Sequence, residues 1–317
     1  MATGGTNLYR YLQQRLPGMI QKRYRDLPFD DGTIVPTDAT LAAGVQELVA
    51  ETVDGIGDAD VLGDGAFDIP IVDLDVGEDA YKVLMIASAM SYTFQQERAM
   101  NFAGRTAQLN TRREGLVTRS ISERRSRIAA FGDRRFGITG FLNNPNVSLD
   151  NSSFNPYDAG TVPDELFQFF VAIVRDFYLG SNNVGFPAGC LVSTGLYFKL
   201  IGTRMTDGAT TLKDFIENAL REDEIPFVIR KNQESESARL EANGVQAAGT
   251  NKDRITLYVR ERDTVERMIE PIQMMPPDYV STKDARKVFP FFSCVTPTMV
   301  HQPLGMRYID VTKAVLA

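Results

Sequence analysis

A chain of 317 residues is long enough for one large domain or two to three smaller ones built around a common sheet. Its 43% hydrophobic and 24% charged residues are ordinary for a folded globular protein and exclude a disordered or fibrous class. A formal charge of -7 argues against a dedicated DNA-binding domain, and no run approaches the roughly 20 apolar residues of a membrane span.

Residues 1–40 are polar and punctuated by Pro17, Pro28 and Pro36, so they read as an extended arm with one short helix near Leu8 to Leu16 and little buried surface. The first 18 residues lack an apolar signal core, which points to a protein made and kept in a cytoplasm. Leu41, Val45, Leu48, Val49 and Thr52 follow helical spacing and predict a short amphipathic helix. From Glu47 to Asp79 the chain holds eleven acidic residues and neither Lys nor Arg. Within this stretch FDIPIVDLDV (67–76) reads as a strand, and YKVLMIASAMSYTF (81–94) as its return, together a long and poorly packed hairpin.

A short helix is expected over Ser91 to Phe102, stopped by Gly104. Thr106 to Phe131 contains no Pro, and Val117, Ile121, Ile128 and Phe131 fall on one face, predicting a long helix that Gly132-Asp133 ends. Gly115 is a candidate bending point within it. Between Arg105 and Arg135 nine arginines face three acids, the reverse of the preceding segment. After the turn-rich FGITGFLNNPNVSLD, Val162-Pro163-Asp164-Glu165 opens a helix to about Leu179. Strand CLVS, helices GLYFKLIGTRM and TLKDFIENAL, strand IPFVIRK, a polar loop from Gln233 to Asp253, and strands RITLYVR and VERMIEPIQM follow; this mixture is α+β. Pro276 to Lys287 is a loop, and the last stretch reads as two strands broken near Pro303-Leu304-Gly305.

Sites with chemistry are scarce. His301 is the only histidine, which removes any multi-histidine zinc site, and it reads as structural or surface. Cys190 and Cys294 sit in apolar surroundings and read as buried thiols. Asp58, Asp60, Asp64 and Asp68 fail the calcium-loop pattern at Leu62 and lack its closing Glu, so they read as a solvated acidic loop. Signatures of phosphate loops, nucleophile elbows, redox pairs and zincins are absent. No catalytic residue, cofactor or metal is predicted.

DIPIVDLDVGEDAYKVLMIASAMSYTFQQERAM (68–100), then the long charged helix, then IAAFGDRRFGITGFLNNPNV (128–147), resemble the major capsid proteins of tailed phages. These share the Hong Kong ninety-seven phage fold with encapsulin shells, and the resemblance spans about Gly55 to Val311. It implies an N-terminal arm (1–53), an extended loop hairpin (54–90), a peripheral domain (91–160) with its spine helix at 106–131, and an axial domain (161–275). A three-fold loop and return strands (276–317) would follow. It also implies a subunit that self-assembles into hexamers and pentamers of an icosahedral virion head, enclosing double-stranded DNA without sequence-specific binding. Portal, scaffolding or decoration proteins are possible partners, and no membrane is.

The charge split suggests how neighbours would meet, with the acidic hairpin of one subunit crossing the basic helix of the next. Asp68, Ile69, Ile71, Asp73 and Asp75 would face Arg112, Arg113, Arg119, Arg124 and Arg125. Charge would set register while Ile69, Ile71 and Leu74 supply more of the energy. Two other readings are an encapsulin-type compartment shell, and a nucleic-acid-binding protein using the arginine-rich helix.

Overall fold

Two apolar periodicities, one of strands buried on both faces and one of a long helix with a single apolar stripe, organise the chain. A computed structural model describes residues 24–56, 72–102, 106–158, 160–181, 185–205, 210–222, 225–245, 251–276, 278–280 and 286–313. In chain order, β1 (Thr37–Asp38) leads to β2 (Glu47–Ile56), β3 (Asp73–Lys82), β4 (Leu84–Thr93), α1 (Phe94–Phe102), α2 (Thr106–Phe131) and β5 (Ser148–Asn151). There follow α3 (Pro163–Gly180), β6 (Gly189–Val192), α4 (Thr194–Gly202), α5 (Leu212–Glu222), β7 (Val228–Lys231) and α6 (Ser237–Ala242). The chain ends with β8 (Lys252–Tyr258), β9 (Val265–Met268), β10 (Gln273–Met274), β11 (Asp278–Val280), β12 (Arg286–Val295), β13 (Met299–Val300) and β14 (Met306–Thr312).

A five-stranded mixed sheet, ordered β5-β14-β8-β6-β7, is the centre of mass of the apolar core. Because strand side chains alternate, Cys190, Val192, Ile255, Leu257, Ile309 and Val311 face α3, α4 and α5. Leu191, Tyr258, Met306 and Tyr308 face the C-terminal end of α2 and the arm segment. A sheet covered on both sides needs continuous apolar strands, which is how RITLYVR and CLVS read. Arg254 is the exception: it lies opposite Asp310 in the register, donates to both its carboxylate oxygens at 2.8 and 2.9 Å, and donates to the Leu142 carbonyl.

The long helix α2 matches its predicted bounds. Its stripe splits between two cores: Val117 and Ile121 pack on Met90, Tyr92 and Phe291 of the β4–β12 ribbon, while Phe131 reaches the five-stranded sheet. The exit is built by backbone chemistry. Gly132 has φ +71° and its position would set a Cβ 2.1 Å from the Ile138 carbonyl oxygen, so only glycine fits. The N–H groups of Phe141 and Leu142 then donate to the carbonyls of Ala129 and Ala130, and the Asn143 amide donates to that of Phe131. Three terminal helix carbonyls are satisfied by the G-F-L-N sequence that follows.

Five sequence expectations are corrected. Residues 47–56 form strand β2 instead of extending a helix from Leu41, because residues 73–82 supply a ten-residue antiparallel partner. The return strand expected for the hairpin, 84–93, pairs instead with β12 along its full length. The arm segment buries much more than its composition suggested: Leu27, Phe29, Ile34, Val35 and Leu41 are core residues. Its irregular backbone is tolerated there because Arg267, Arg260, Arg230 and Tyr258 donate to the carbonyls of Phe29, Gly32, Thr33 and Ile34. The polar loop 233–253 contains α6 and a 3-10 turn, Gln233–Ser235, and the loop 276–287 contains β11 and the start of β12. The predicted helix at 8–16 lies outside the described residues.

Candidate subunit interface

The β2–β3 hairpin is the part of the chain with least support of its own. Ten paired residues at about 3.4 Å each make a ribbon roughly 34 Å long. Along β3 every side chain but that of Tyr81 is exposed. Two-stranded ribbons are marginal in water unless a third element packs on them, so this one needs a partner. At its root Val83 donates to the Gln46 carbonyl, and Tyr81 packs edge-on to the His301 ring and donates to the Val300 carbonyl. His301 in turn lies 3.3 Å from Glu266. Burial, with Asp79 and Glu266 adding to it, pushes the Tyr81 hydroxyl up to about 12.

Opposed residues in an antiparallel pair share a face. One face of the ribbon therefore carries Val49 opposite Ala80, Glu51 opposite Glu78, and Val53 opposite Val76, with Leu74 beyond. The other carries Asp73, Asp75 and Asp79 of β3 with Leu48, Ala50 and Thr52 of β2. Val53 is 63% exposed and Leu74 66%, apolar side chains that no described residue covers. The exposed valines thus share one face, which also carries the Glu51–Glu78 pair, while Asp73, Asp75 and Asp79 lie on the other.

Asp73 and Asp75 lie exposed on β3, whereas Asp68, Ile69 and Ile71 lie outside the described residues, as do Asp58, Asp60 and Asp64. The arginines of α2 are largely occupied within the chain. Arg125 is buried and pairs with Asp30 at 2.9 Å. Arg124 pairs with Asp133, which also binds Arg135. Arg119 pairs with Glu123 at 3.0 Å and donates to the Arg25 carbonyl. Arg113 stacks on the Tyr92 ring at 4.5 Å and donates to the Ser91 carbonyl, and Arg112 is half-buried. Among the described residues, the partners given above for Arg113, Arg119, Arg124 and Arg125 all lie outside the β2–β3 hairpin. Sequence reasoning missed Val49 and Val53 as ribbon residues because the stretch 41–52 follows helical spacing, and the pairing with 73–82 that makes it a strand is not visible in that window.

Cys190 and Cys294 are both buried free thiols, and burial pushes the Cys294 thiol up to about 11, with Glu270 adding to it. Among the described residues no cluster of metal-ligating side chains occurs, and no helix is long and apolar enough to cross a membrane. Among the described residues the most prominent features are the long exposed ribbon, the 26-residue helix α2 and three packed apolar clusters.

A family model for major capsid proteins matches residues 57–311, most of the chain. The chain belongs to the major capsid protein family. This is a family of structural proteins that form virion shells, not an enzyme class. Solved structures agree on the fold, which is of the Hong Kong ninety-seven type. The capsid of the Myoviridae phage XM1 aligns with a TM-score of 0.75 at 13% identity, covering 98% of this chain and 100% of that one. The capsid of a native GTA particle aligns with a TM-score of 0.62 at 12% identity, covering 98% and 97%. A Mycobacterium phage Ogopogo structure gives 0.59 at 11% identity, covering 98% and 100%. A comparison with curated protein sequences returns no match.

Proposed function

We propose that this capsid subunit builds an icosahedral phage head from hexamers and pentamers and encloses double-stranded DNA, with the β2–β3 hairpin as the arm by which each subunit holds a neighbour. The observation that carries this reading is the ribbon itself, exposed on both faces with valines and Leu74 in solvent. A monomer gains nothing from that arrangement, whereas a second copy laid on it buries the apolar face and gives the ribbon its missing layer. Asp73 and Asp75 lie on the opposite face, where charge guides register more than it adds stability.

A net acidic subunit suits confinement of DNA without adhesion. Electron microscopy of the purified full chain tests the proposal. Closed shells, or rings of five and six copies, support it; a monodisperse monomer across salt and concentration contradicts it.

A further inference from the structure

The hairpin's valine face has a defect that identifies its partner. Glu51 stands directly opposite Glu78, both exposed, between the Val49–Ala80 and Val53–Val76 pairs. Like charges directly opposite each other weaken a strand pair, and neither glutamate has an ion-pair partner among the described residues. The surface that covers this face must therefore present apolar, cationic and apolar groups in that order, at the two-residue strand repeat of about 7 Å.

One surface of the chain has that order. Helix α1 carries Phe94, Arg98 and Phe102 at spacings of four residues, about 6 Å of rise each, which places them on one stripe. Phe94 is 55% exposed and Phe102 96%, and the Arg98 guanidinium lies 4.5 Å over the Phe94 ring. Gln96, about 200° around the helix from both Phe94 and Arg98, lines the cleft shared with Arg113 and Val117 of α2. The stripe consequently points away from the chain's own body. Its span of about 12 Å matches the roughly 14 Å between the outer pairs on the ribbon.

We propose that the Phe94–Arg98–Phe102 stripe of one copy seats on the valine–glutamate face of the hairpin of a second copy, Arg98 entering between Glu51 and Glu78. This rests on the reading that copies assemble through the hairpin and names the receptor for it. The receptor is the short helix before the spine, not the spine arginines, whose charge is largely committed within the chain.

Charge reversal tests the contact in the full-length chain, with shell yield measured by sedimentation and folding checked by circular dichroism. Arg98→Glu, and separately the pair Glu51→Lys with Glu78→Lys, should each lower yield by about tenfold or more, and all three together should restore most of it. A second measurement is independent of yield: copies carrying Phe94→Cys mixed with copies carrying Val76→Cys should form an inter-subunit disulfide under mild oxidation. If wild-type chain assembles and Arg98→Glu assembles equally, or no such disulfide forms, the stripe is not the receptor. If wild-type chain forms no oligomer at all, it is the assembly reading that fails.

Discussion

Asp30 is where the arm segment, the spine helix and β9 are tied together, and replacing it with Asn should be among the costliest single-atom changes in the chain. Its carboxylate pairs with Arg125 at 2.9 Å and lies 3.7 Å from Arg267. The side chains are 11%, 7% and 0% exposed respectively. Burial already pushes Arg267 down to about 10, with Asp30 offsetting that and Arg125 adding to it. Removing the one negative charge leaves two buried cations side by side, and breaking a buried pair from one partner costs about 3–5 kcal/mol. At about 2–4 °C per kcal/mol for a domain of this order of size, Asp30→Asn should lower the melting temperature by roughly 6–20 °C. Differential scanning calorimetry of unassembled subunits reads this directly. A loss under about 1 kcal/mol, the range of a surface pair, would refute the reasoning that the cluster is dry and mutually dependent.

Three further outcomes follow from the same geometry. Gly132→Ala forces a side chain into a positive φ and against the Ile138 carbonyl, and should destabilise by about 2 kcal/mol or more in thermal unfolding. Asp133 is held below its ordinary 3.8 by its hydrogen bond from Arg135 and the charges of Arg124 and Arg135. A lowered carboxylate contributes stability that is full above its ordinary range and is lost as pH falls through the folded-state value, so Asp133→Asn should cost stability at neutral pH, with the gap to wild type closing as pH falls below about 4. His301→Ala removes the ring that supports Tyr81, and hydrogen exchange at 81–83 should accelerate while exchange in α2 is unchanged.

Local chemistry was legible where one periodicity dominated. The bounds of α2 follow from an unbroken 26-residue stretch and a positive φ at residue 132 that glycine adopts without strain. The buried thiols followed from the apolar residues flanking Cys190 and Cys294. The hairpin was legible as charge but not as register: residues 41–52 follow helical spacing, and the strand wins only because 73–82 pairs with 47–56 from outside the window. Likewise β4 is apolar enough to pair with either neighbour, and β12, two hundred residues away, takes it. The arm looked unsupported because its support is arginine side chains from β7, β9 and the loop after β8, which sequence spacing does not connect. The spine arginines looked available because their partners Asp30 and Asp133 lie outside the helix.

The account stands on one claim, that the β2–β3 hairpin exists to hold another subunit and contributes little to its own. Replacing 49–80 with a short Gly/Ser turn and comparing the product with the full chain, by calorimetry and by electron microscopy side by side, tests it. The prediction is a melting temperature of the unassembled subunit within about 3 °C of the full chain and complete loss of shells. A truncated chain that still closes shells, or one that no longer folds, would contradict it.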